Sequence, residues 1–128
     1  MTATGVIEHY AAAWHRSDLE TMFATHDPNV VVHYGGTSPF AGDHHGRNAF
    51  VATLAETARR SGRALVSIDA VYDLGGHGAV FVTEAFEVGG ARATAERCLR
   101  YRLEDGLIVE VWLYDQQQHL VDRAWSQP

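Results

Sequence analysis

Residues 106–125, GLIVEVWLYDQQQHLVDRAW, combine a continuous apolar run with a helical apolar pattern. Residues 107–114 are almost wholly β-branched, aromatic or leucine, and the turn dipeptide Asp105-Gly106 precedes them, which is typical of a buried central strand. After Asp115 the apolar residues recur at helical spacing as far as Trp125. The stretch therefore predicts a strand followed by a short amphipathic helix, with the Asp115 carboxylate at the junction.

Asp115 has two interpretations at this junction. With Gln118 three residues later it forms a D-x-x-Q capping box, in which its side chain accepts hydrogen bonds from the first turn of the helix. Alternatively, a carboxylate held where a sheet meets a cavity can act as a general acid or base. Capping would keep Asp115 ionised and weakly basic, because a helix N-terminus stabilises negative charge. In that case His33 becomes the better proton acceptor.

The remaining elements place helices first and strands last. Apolar residues at helical spacing predict a helix over residues 3–16, an S-x-x-E capping box opens a second helix at Ser17, and Asp27-Pro28 ends it. Residues 30–34 form a short strand, and residues 35–46, GGTSPFAGDHHG, form a long loop of the kind that often borders a binding site. A third helix is predicted over residues 47–61. Period-two patterns then predict strands over residues 64–73, 79–88, 91–104 and 107–115.

This order of elements predicts one α+β domain over residues 1–128, with helices covering one face of a mostly antiparallel sheet. Side chains alternate between the two faces of each strand. On strands 79–88 and 91–104, Glu84 and Arg97 each interrupt an inward-facing apolar row, so they could neutralise each other. The alternatives are a purely structural ion pair, or a bulge that turns Glu84 towards water.

Two further faces follow from the same alternation. On strand 64–73 the predicted apolar set is Val66, Ile68, Ala70 and Tyr72. On the last strand the outward face carries Trp112 and Tyr114, and large aromatic residues on the outside of a sheet indicate that a second subunit covers it.

Composition excludes several classes of function. The net charge is -6 and the ten positive side chains are all arginines, so a nucleic-acid partner is not expected. Cys98 is the single cysteine, which excludes an internal disulfide. The first residues, MTATGVIEHY, contain neither a basic start nor an apolar run, and no apolar stretch reaches the roughly 20 residues that span a bilayer. We therefore expect a cytoplasmic protein without a membrane partner.

The eight histidines do not form a metal motif. His44 and His45 are neighbours in the glycine-rich loop, and no H-x-x-x-H or H-E-x-x-H spacing occurs. Nucleotide-binding and nucleophile-elbow motifs are absent as well. We expect neither a metal nor another cofactor, which leaves acid and base chemistry in an apolar cavity.

Three stretches resemble the SnoaL-like branch of the nuclear-transport-factor-2-like superfamily, which also contains ketosteroid isomerases and limonene epoxide hydrolases. They are residues 10–18 (YAAAWHRSD), residues 30–50 and residues 105–125. The resemblance implies a cone-shaped barrel, in which a curved, mostly antiparallel sheet wraps three N-terminal helices and encloses an apolar pocket. It also implies a homodimer that forms through the outer face of the sheet.

The resemblance assigns roles to three candidate catalytic residues. Tyr10 falls where ketosteroid isomerases have the tyrosine that donates a hydrogen bond to the enolate oxygen, and His33 lies near the place of their basic aspartate. Their second oxyanion donor has no counterpart, because Cys98 or Leu99 stands there. Asp115 resembles the last-strand aspartate that serves as the base in SnoaL-type polyketide cyclases.

Epoxide hydrolysis is the alternative reaction within the same resemblance. Limonene epoxide hydrolases have a Tyr-Phe-Asp that Tyr114-Asp115 resembles, but their Arg-x-Asp on a neighbouring strand is absent. Only a rearranged set of Glu84, Arg97 and Asp115 could replace it.

We expect a cofactor-independent enzyme, a cyclase or isomerase, that transfers protons on a small apolar molecule such as a polyketide. The alternatives are an epoxide hydrolase and a domain that binds a ligand without converting it. The predicted substrate-binding residues are Trp14, Phe23, Phe40, Phe50, Leu54, Val82, Glu84, Phe86, Arg97, Leu99, Tyr101, Val111 and Leu113.

Overall fold

The computed structural model describes residues 5–128, which fold into four helices and six strands. In chain order they are α1 (Val6–His15), α2 (Leu19–Ala24), β1 (His26–Tyr34), β2 (Gly42–His45), α3 (Arg47–Ser61), β3 (Ala64–Asp73), β4 (His77–Val88), β5 (Ala91–Glu104), β6 (Leu107–Asp115) and α4 (Gln118–Trp125).

The six strands form one sheet in the order β2-β1-β6-β5-β4-β3. Neighbouring strands are antiparallel except β1 and β6, which are parallel. The α+β class with a mostly antiparallel sheet is therefore confirmed. The predicted barrel is wrong, because the sheet is open, with β2 and β3 as its two edges among the described residues.

One hydrophobic core joins the inner face of the sheet to the helices. Ile7 and Tyr10 of α1, Phe50 of α3 and Trp125 of α4 are at most 5% exposed and belong to the same cluster as the inward-facing strand residues. Burying such side chains is the main favourable term in folding. The β6–α4 stretch lies at the centre of this core, since β6 pairs with both β1 and β5.

The third helix forms as its sequence predicts. It spans Arg47–Ser61, and Gly62 ends it with a backbone φ of 56°. This left-handed conformation is accessible to glycine without steric cost, which explains why the helix stops there. Residues 3 and 4 of the predicted first helix lie outside the described part of the chain.

Three local predictions need correction. Bulges in the pairing of β3 with β4 shift the alternation, so Val66 and Tyr72 are more than half exposed, whereas Leu65 and Val71 pack against the core. Asp18, not Ser17, caps α2 by accepting a hydrogen bond from the Thr21 backbone N–H. The predicted loop at 35–46 contains β2, which pairs with β1.

Candidate functional site

A cavity of about 650 Å³ lies between α1, α2 and α3 and the inner face of the sheet. Its opening is formed by exposed residues of the α1–α2 turn and of β3, including Ser17, Leu19 and Val66. Its inner end is formed by buried residues of four strands. The lining residues are Tyr10, Trp14, His15, Ser17, Leu19, Met22, Phe23, Tyr34, Phe50, Val51, Leu54, Ala55, Ala58, Arg63, Ala64, Leu65, Val66, Glu84, Leu99 and Leu113.

The predicted site residues divide into two groups. Those that line this cavity are Tyr10, Trp14, Phe23, Phe50, Leu54, Glu84, Leu99 and Leu113. Those placed elsewhere are His33, Phe40, Val82, Phe86, Arg97, Tyr101, Val111 and Asp115. The aliphatic and aromatic members of the second group pack within or against the hydrophobic core, where neighbouring side chains cover them.

Glu84 is the carboxylate at the inner end of the cavity. Arg63 donates two hydrogen bonds to it, from Nε to Oε2 at 2.7 Å and from Nη2 to Oε1 at 3.0 Å. The side chains of Arg63 and Glu84 are only 8% and 2% exposed. Such a bidentate pair fixes the carboxylate in orientation as well as in charge.

Arg97 bridges Glu84 to Asp115. It donates from Nη1 to Glu84 Oε1 at 3.0 Å, and from Nε and Nη2 to Asp115 at 2.5 and 3.3 Å. Its guanidinium also lies 5.0 Å from the ring centre of Trp125. The predicted pairing of Glu84 with Arg97 is thus present, and its alternative, a Glu84 that faces water, is wrong.

The capping interpretation of Asp115 is also wrong. Gln117 is the N-cap residue of α4, and it makes no side-chain capping bond. Asp115 lies directly opposite Arg97 on the neighbouring strand, so both side chains point to the same face of the sheet. The carboxylate binds the guanidinium at that position instead of the helix N-terminus.

The four side chains form a chain of alternating charge, Arg63, Glu84, Arg97 and Asp115, whose formal charges sum to zero. Burial acts to raise the pKa of Glu84, but the charges and hydrogen bonds of Arg63 and Arg97 outweigh it and hold that pKa below its usual value. Glu84 is therefore ionised and stabilised as the anion.

Tyr34 and Tyr10 also line this cavity. The Tyr34 hydroxyl is buried and has no hydrogen-bond partner among the described residues. Burial raises the pKa of Tyr34 above its usual value and that of Tyr10 to about 12, so both phenols stay protonated. A protonated, unpartnered hydroxyl at the buried end of a cavity can donate a hydrogen bond to a ligand oxygen.

His33 lies on the outer face of the sheet. Its Nδ1 is 2.6 Å from Asp43 and its Nε2 is 2.6 Å from Glu110, while its ring stacks on Trp112. Burial acts to lower the pKa of His33, but the hydrogen bonds to Glu110 and Asp43 outweigh it and raise that pKa. His33 and Asp115 share a separate, smaller cavity of about 310 Å³, which Tyr34 also lines.

Replacing His33 by glutamine is expected to destabilise the protein more at about pH 6 than at about pH 9. Because the folded-state pKa of His33 is raised, its contribution is fully present below the unfolded-state value of 6.5 and is lost as the pH rises through the folded-state value. Urea unfolding at both pH values measures the difference, which should not exceed about 1 kcal/mol for each partly exposed contact. The exposed His77, replaced by glutamine, is the control, and an equal loss at both pH values would contradict the prediction.

Sequence reasoning missed Arg63 and Tyr34. Arg63 follows the glycine that ends α3, and nothing local distinguishes it from a solvent-exposed arginine. Tyr34 alternates with Val30 and Val32, and burial of these two valines places the tyrosine on the inner face. Five residues of sequence did not decide which face of β1 is buried.

Within residues 5–128, no three His, Cys, Asp or Glu side chains are arranged as a possible metal site. Over the same residues, no helix has both the length and the apolarity needed to cross a membrane.

Solved structures with the same fold include several bacterial proteins. A protein of unknown function with a cystatin-like fold from Xanthomonas campestris matches with 25% identity and a TM-score of 0.85, covering 95% of this chain and 96% of its own. An NTF2-like protein from Burkholderia xenovorans matches with 16% identity and a TM-score of 0.76, covering 94% and 92%. A candidate polyketide cyclase from Pseudomonas putida matches with 19% identity and a TM-score of 0.71, covering 96% and 98%.

Comparison with curated proteins gives no match. The family model of the SnoaL-like domain matches residues 7–111, which is most of the chain and includes every residue that lines the main cavity except Leu113. Asp115 and α4 lie beyond the range that the family model matches. The similarity to the Xanthomonas campestris structure covers 95% of the chain. This chain therefore belongs to the SnoaL-like domain family.

Proposed function

We propose that this protein binds a largely apolar small molecule in the main cavity and holds one oxygen of that molecule at the inner end. The observation that carries the proposal is the buried hydroxyl of Tyr34, which has no hydrogen-bond partner within residues 5–128 and belongs to a residue that lines a mostly apolar cavity. A cavity of about 650 Å³ has a typical volume for a small-molecule site, and such sites combine apolar walls with a few fixed polar groups.

The reaction we propose is cofactor-independent proton transfer of the cyclase or isomerase type. Tyr34 and Tyr10 would donate hydrogen bonds to a carbonyl oxygen and stabilise the negative charge that develops there when a neighbouring carbon loses its proton. Glu84 is the carboxylate that lines the cavity, so it replaces Asp115 as the proposed proton acceptor. Its arginine contacts make it a weak base, and it would have to release one of them on accepting the proton.

A matched pair of probes tests the binding proposal. Acetylnaphthalene carries a carbonyl group, and ethylnaphthalene has nearly the same shape without one. We expect Tyr34→Phe to weaken binding of the ketone by about 2- to 10-fold and to leave binding of the hydrocarbon nearly unchanged, because one hydrogen bond contributes that much. Calorimetric titration measures both affinities. Equal losses for the two probes would show that Tyr34 contributes packing only.

Hydrogen exchange separates turnover from binding. In D₂O, an enzyme that removes a proton beside the carbonyl would accelerate deuterium uptake into the methyl group of acetylnaphthalene, which NMR detects. We expect the wild type to accelerate this exchange and Glu84→Gln to abolish the acceleration. If the wild type binds the ketone but does not accelerate the exchange, the protein is a ligand-binding domain and the proposed reaction is wrong.

Epoxide hydration is the second candidate, because Arg97 joins two carboxylates, Glu84 and Asp115, and this set could replace the Arg-x-Asp of limonene epoxide hydrolases. One carboxylate would take a proton from water while the water oxygen attacks the epoxide carbon, and an acid would protonate the epoxide oxygen as its C–O bond breaks. Glu84 is held as the anion, so Tyr34 is the acid available in the cavity. Formation of a diol from cyclohexene oxide, lost in Glu84→Gln, would favour this reaction over the first.

We also propose that the outer face of the sheet pairs with a second copy of the chain. Phe81, Cys98 and Tyr114 lie side by side on β4, β5 and β6, and Phe81 and Tyr114 are 41% and 51% exposed. Glu96 and Arg100 flank Cys98 on the same face, two residues away on either side. In a two-fold arrangement centred on Cys98, the Glu96 of one copy would meet the Arg100 of the other.

Cross-linking at Cys98 tests this arrangement. A short bis-maleimide should link two chains through their single cysteines, and Arg100→Glu should weaken the dimer by placing like charges opposite each other. Arg92→Glu, an exposed arginine at the start of β5, is the control. A chain that sediments as a monomer and does not cross-link at micromolar concentration would overturn the dimer.

A further inference from the structure

The buried charges of the main cavity are balanced, and each lies against an opposite charge. Arg63 and Glu84 line the cavity, and Arg97 lies behind Glu84. Asp115 is the last of the four charged side chains and lies outside the cavity. The side chains of Arg97 and Asp115 are 1% and 4% exposed. The four charged side chains at this wall of the cavity therefore carry no net charge that could attract an ionic ligand.

A charged ligand would have to break this balance. An anion that took Arg63 would leave Glu84 with Arg97 as its one arginine partner, and a cation that took Glu84 would leave Arg63 without its carboxylate partner. In either case a buried charge loses its partner, and losing one member of a buried pair is strongly unfavourable. An uncharged ligand avoids this penalty and can still accept a hydrogen bond from Tyr34.

Resting on the proposed function, we infer that the cavity selects an uncharged ligand that carries a hydrogen-bond acceptor, and that Glu84 is the residue that sets this selectivity. Glu84 does so by balancing Arg63, the only arginine among the described lining residues. Without the Glu84 charge, the same apolar cavity would contain a buried guanidinium that is free to bind a carboxylate.

Three probes of similar shape test the inference on the wild-type protein. Acetylnaphthalene is neutral, naphthoate is an anion and naphthylmethylammonium is a cation at neutral pH. We expect the ketone to bind at least about tenfold more tightly than either ion, since charged groups cost more to desolvate. If an ion binds as tightly as the ketone, the inference fails while the proposed binding function stands. If none of the three probes binds, the proposed function itself fails.

Two isosteric variants identify the responsible residue. Glu84→Gln leaves the cavity with one excess positive charge, so naphthoate should gain at least about tenfold relative to the ketone. Asp115→Asn removes the same charge at the other end of the row of four charged side chains, outside the main cavity. The gain in naphthoate affinity should therefore be smaller. An unchanged ratio in Glu84→Gln, or equal gains in both variants, would overturn the role of Glu84. Circular dichroism verifies that each variant is folded. The comparison of the three probes on the wild-type protein does not depend on either variant.

Discussion

Replacing Arg97 by methionine is expected to lower the free energy of unfolding by about 3–5 kcal/mol. The methionine keeps most of the side-chain volume but removes the partner of Asp115 and one of the two arginines bound to Glu84. Both carboxylates would stay buried, and Asp115 would have no positive charge beside it. A buried charge that loses its partner is among the few causes of destabilisation this large.

Urea unfolding of Arg97→Met and of a matched variant measures the effect. Arg102→Met is the control, because Arg102 lies on the same strand with its side chain 46% exposed and binds Glu104 and Glu110 at the surface. Exposed pairs of this kind contribute little, because water and salt screen the two charges. If Arg97→Met does not fold, Arg97→Lys keeps the charge without the bidentate geometry and should show an intermediate loss. A loss for Arg97 no larger than for Arg102 would contradict the account.

Replacing Trp125 by alanine is the second large effect, with an expected loss of about 3–5 kcal/mol. The indole is 2% exposed and contacts the aromatic rings of Tyr34, Phe40 and Phe86. The guanidinium of Arg97 lies over its ring as well. Alanine would leave a cavity at this position and remove an aromatic surface on which the arginine is held.

Two variants make the Trp125 result specific. Trp125→Phe should cost less than Trp125→Ala, because the ring is kept and the indole N–H has no hydrogen-bond partner among the described residues. Tyr114→Ala, at an exposed aromatic residue on the other face of β6, should change stability by less than about 1 kcal/mol. Similar losses for Trp125→Ala and Tyr114→Ala in urea unfolding would show that α4 contributes little to the core.

The fold was predictable from the sequence wherever side-chain period and strand pairing agree. The alternation on β4, β5 and β6 placed Glu84, Arg97 and Asp115 on the inner face, as the structure has them. On β3 the same alternation gave the wrong faces, because two bulges shift which side chains point inward. No residue pattern in the sequence indicates these bulges. The open edges of the sheet could not be read from the chain, since strand closure depends on tertiary geometry.

The candidate site was less predictable, because its polar groups meet only through tertiary contacts. The local sequence around Asp115 favours a helix cap, but Arg97 on the neighbouring strand binds the carboxylate. Arg63 reaches Glu84 from a position 21 residues away in the chain. Tyr34 lies on the cavity side of β1 and His33 on the outer side, because Tyr34 shares a face with the buried Val30 and Val32. No local motif indicates which face is buried.

A crystal structure of the protein with acetylnaphthalene bound tests most directly whether Tyr34 holds an oxygen of the ligand. We expect the aromatic rings to occupy the main cavity and the carbonyl oxygen to lie about 2.6–3.0 Å from the Tyr34 hydroxyl oxygen. A ketone that binds with its carbonyl group at the opening, beside Ser17 and Leu19, and with only hydrocarbon near Tyr34 and Glu84, would contradict this placement.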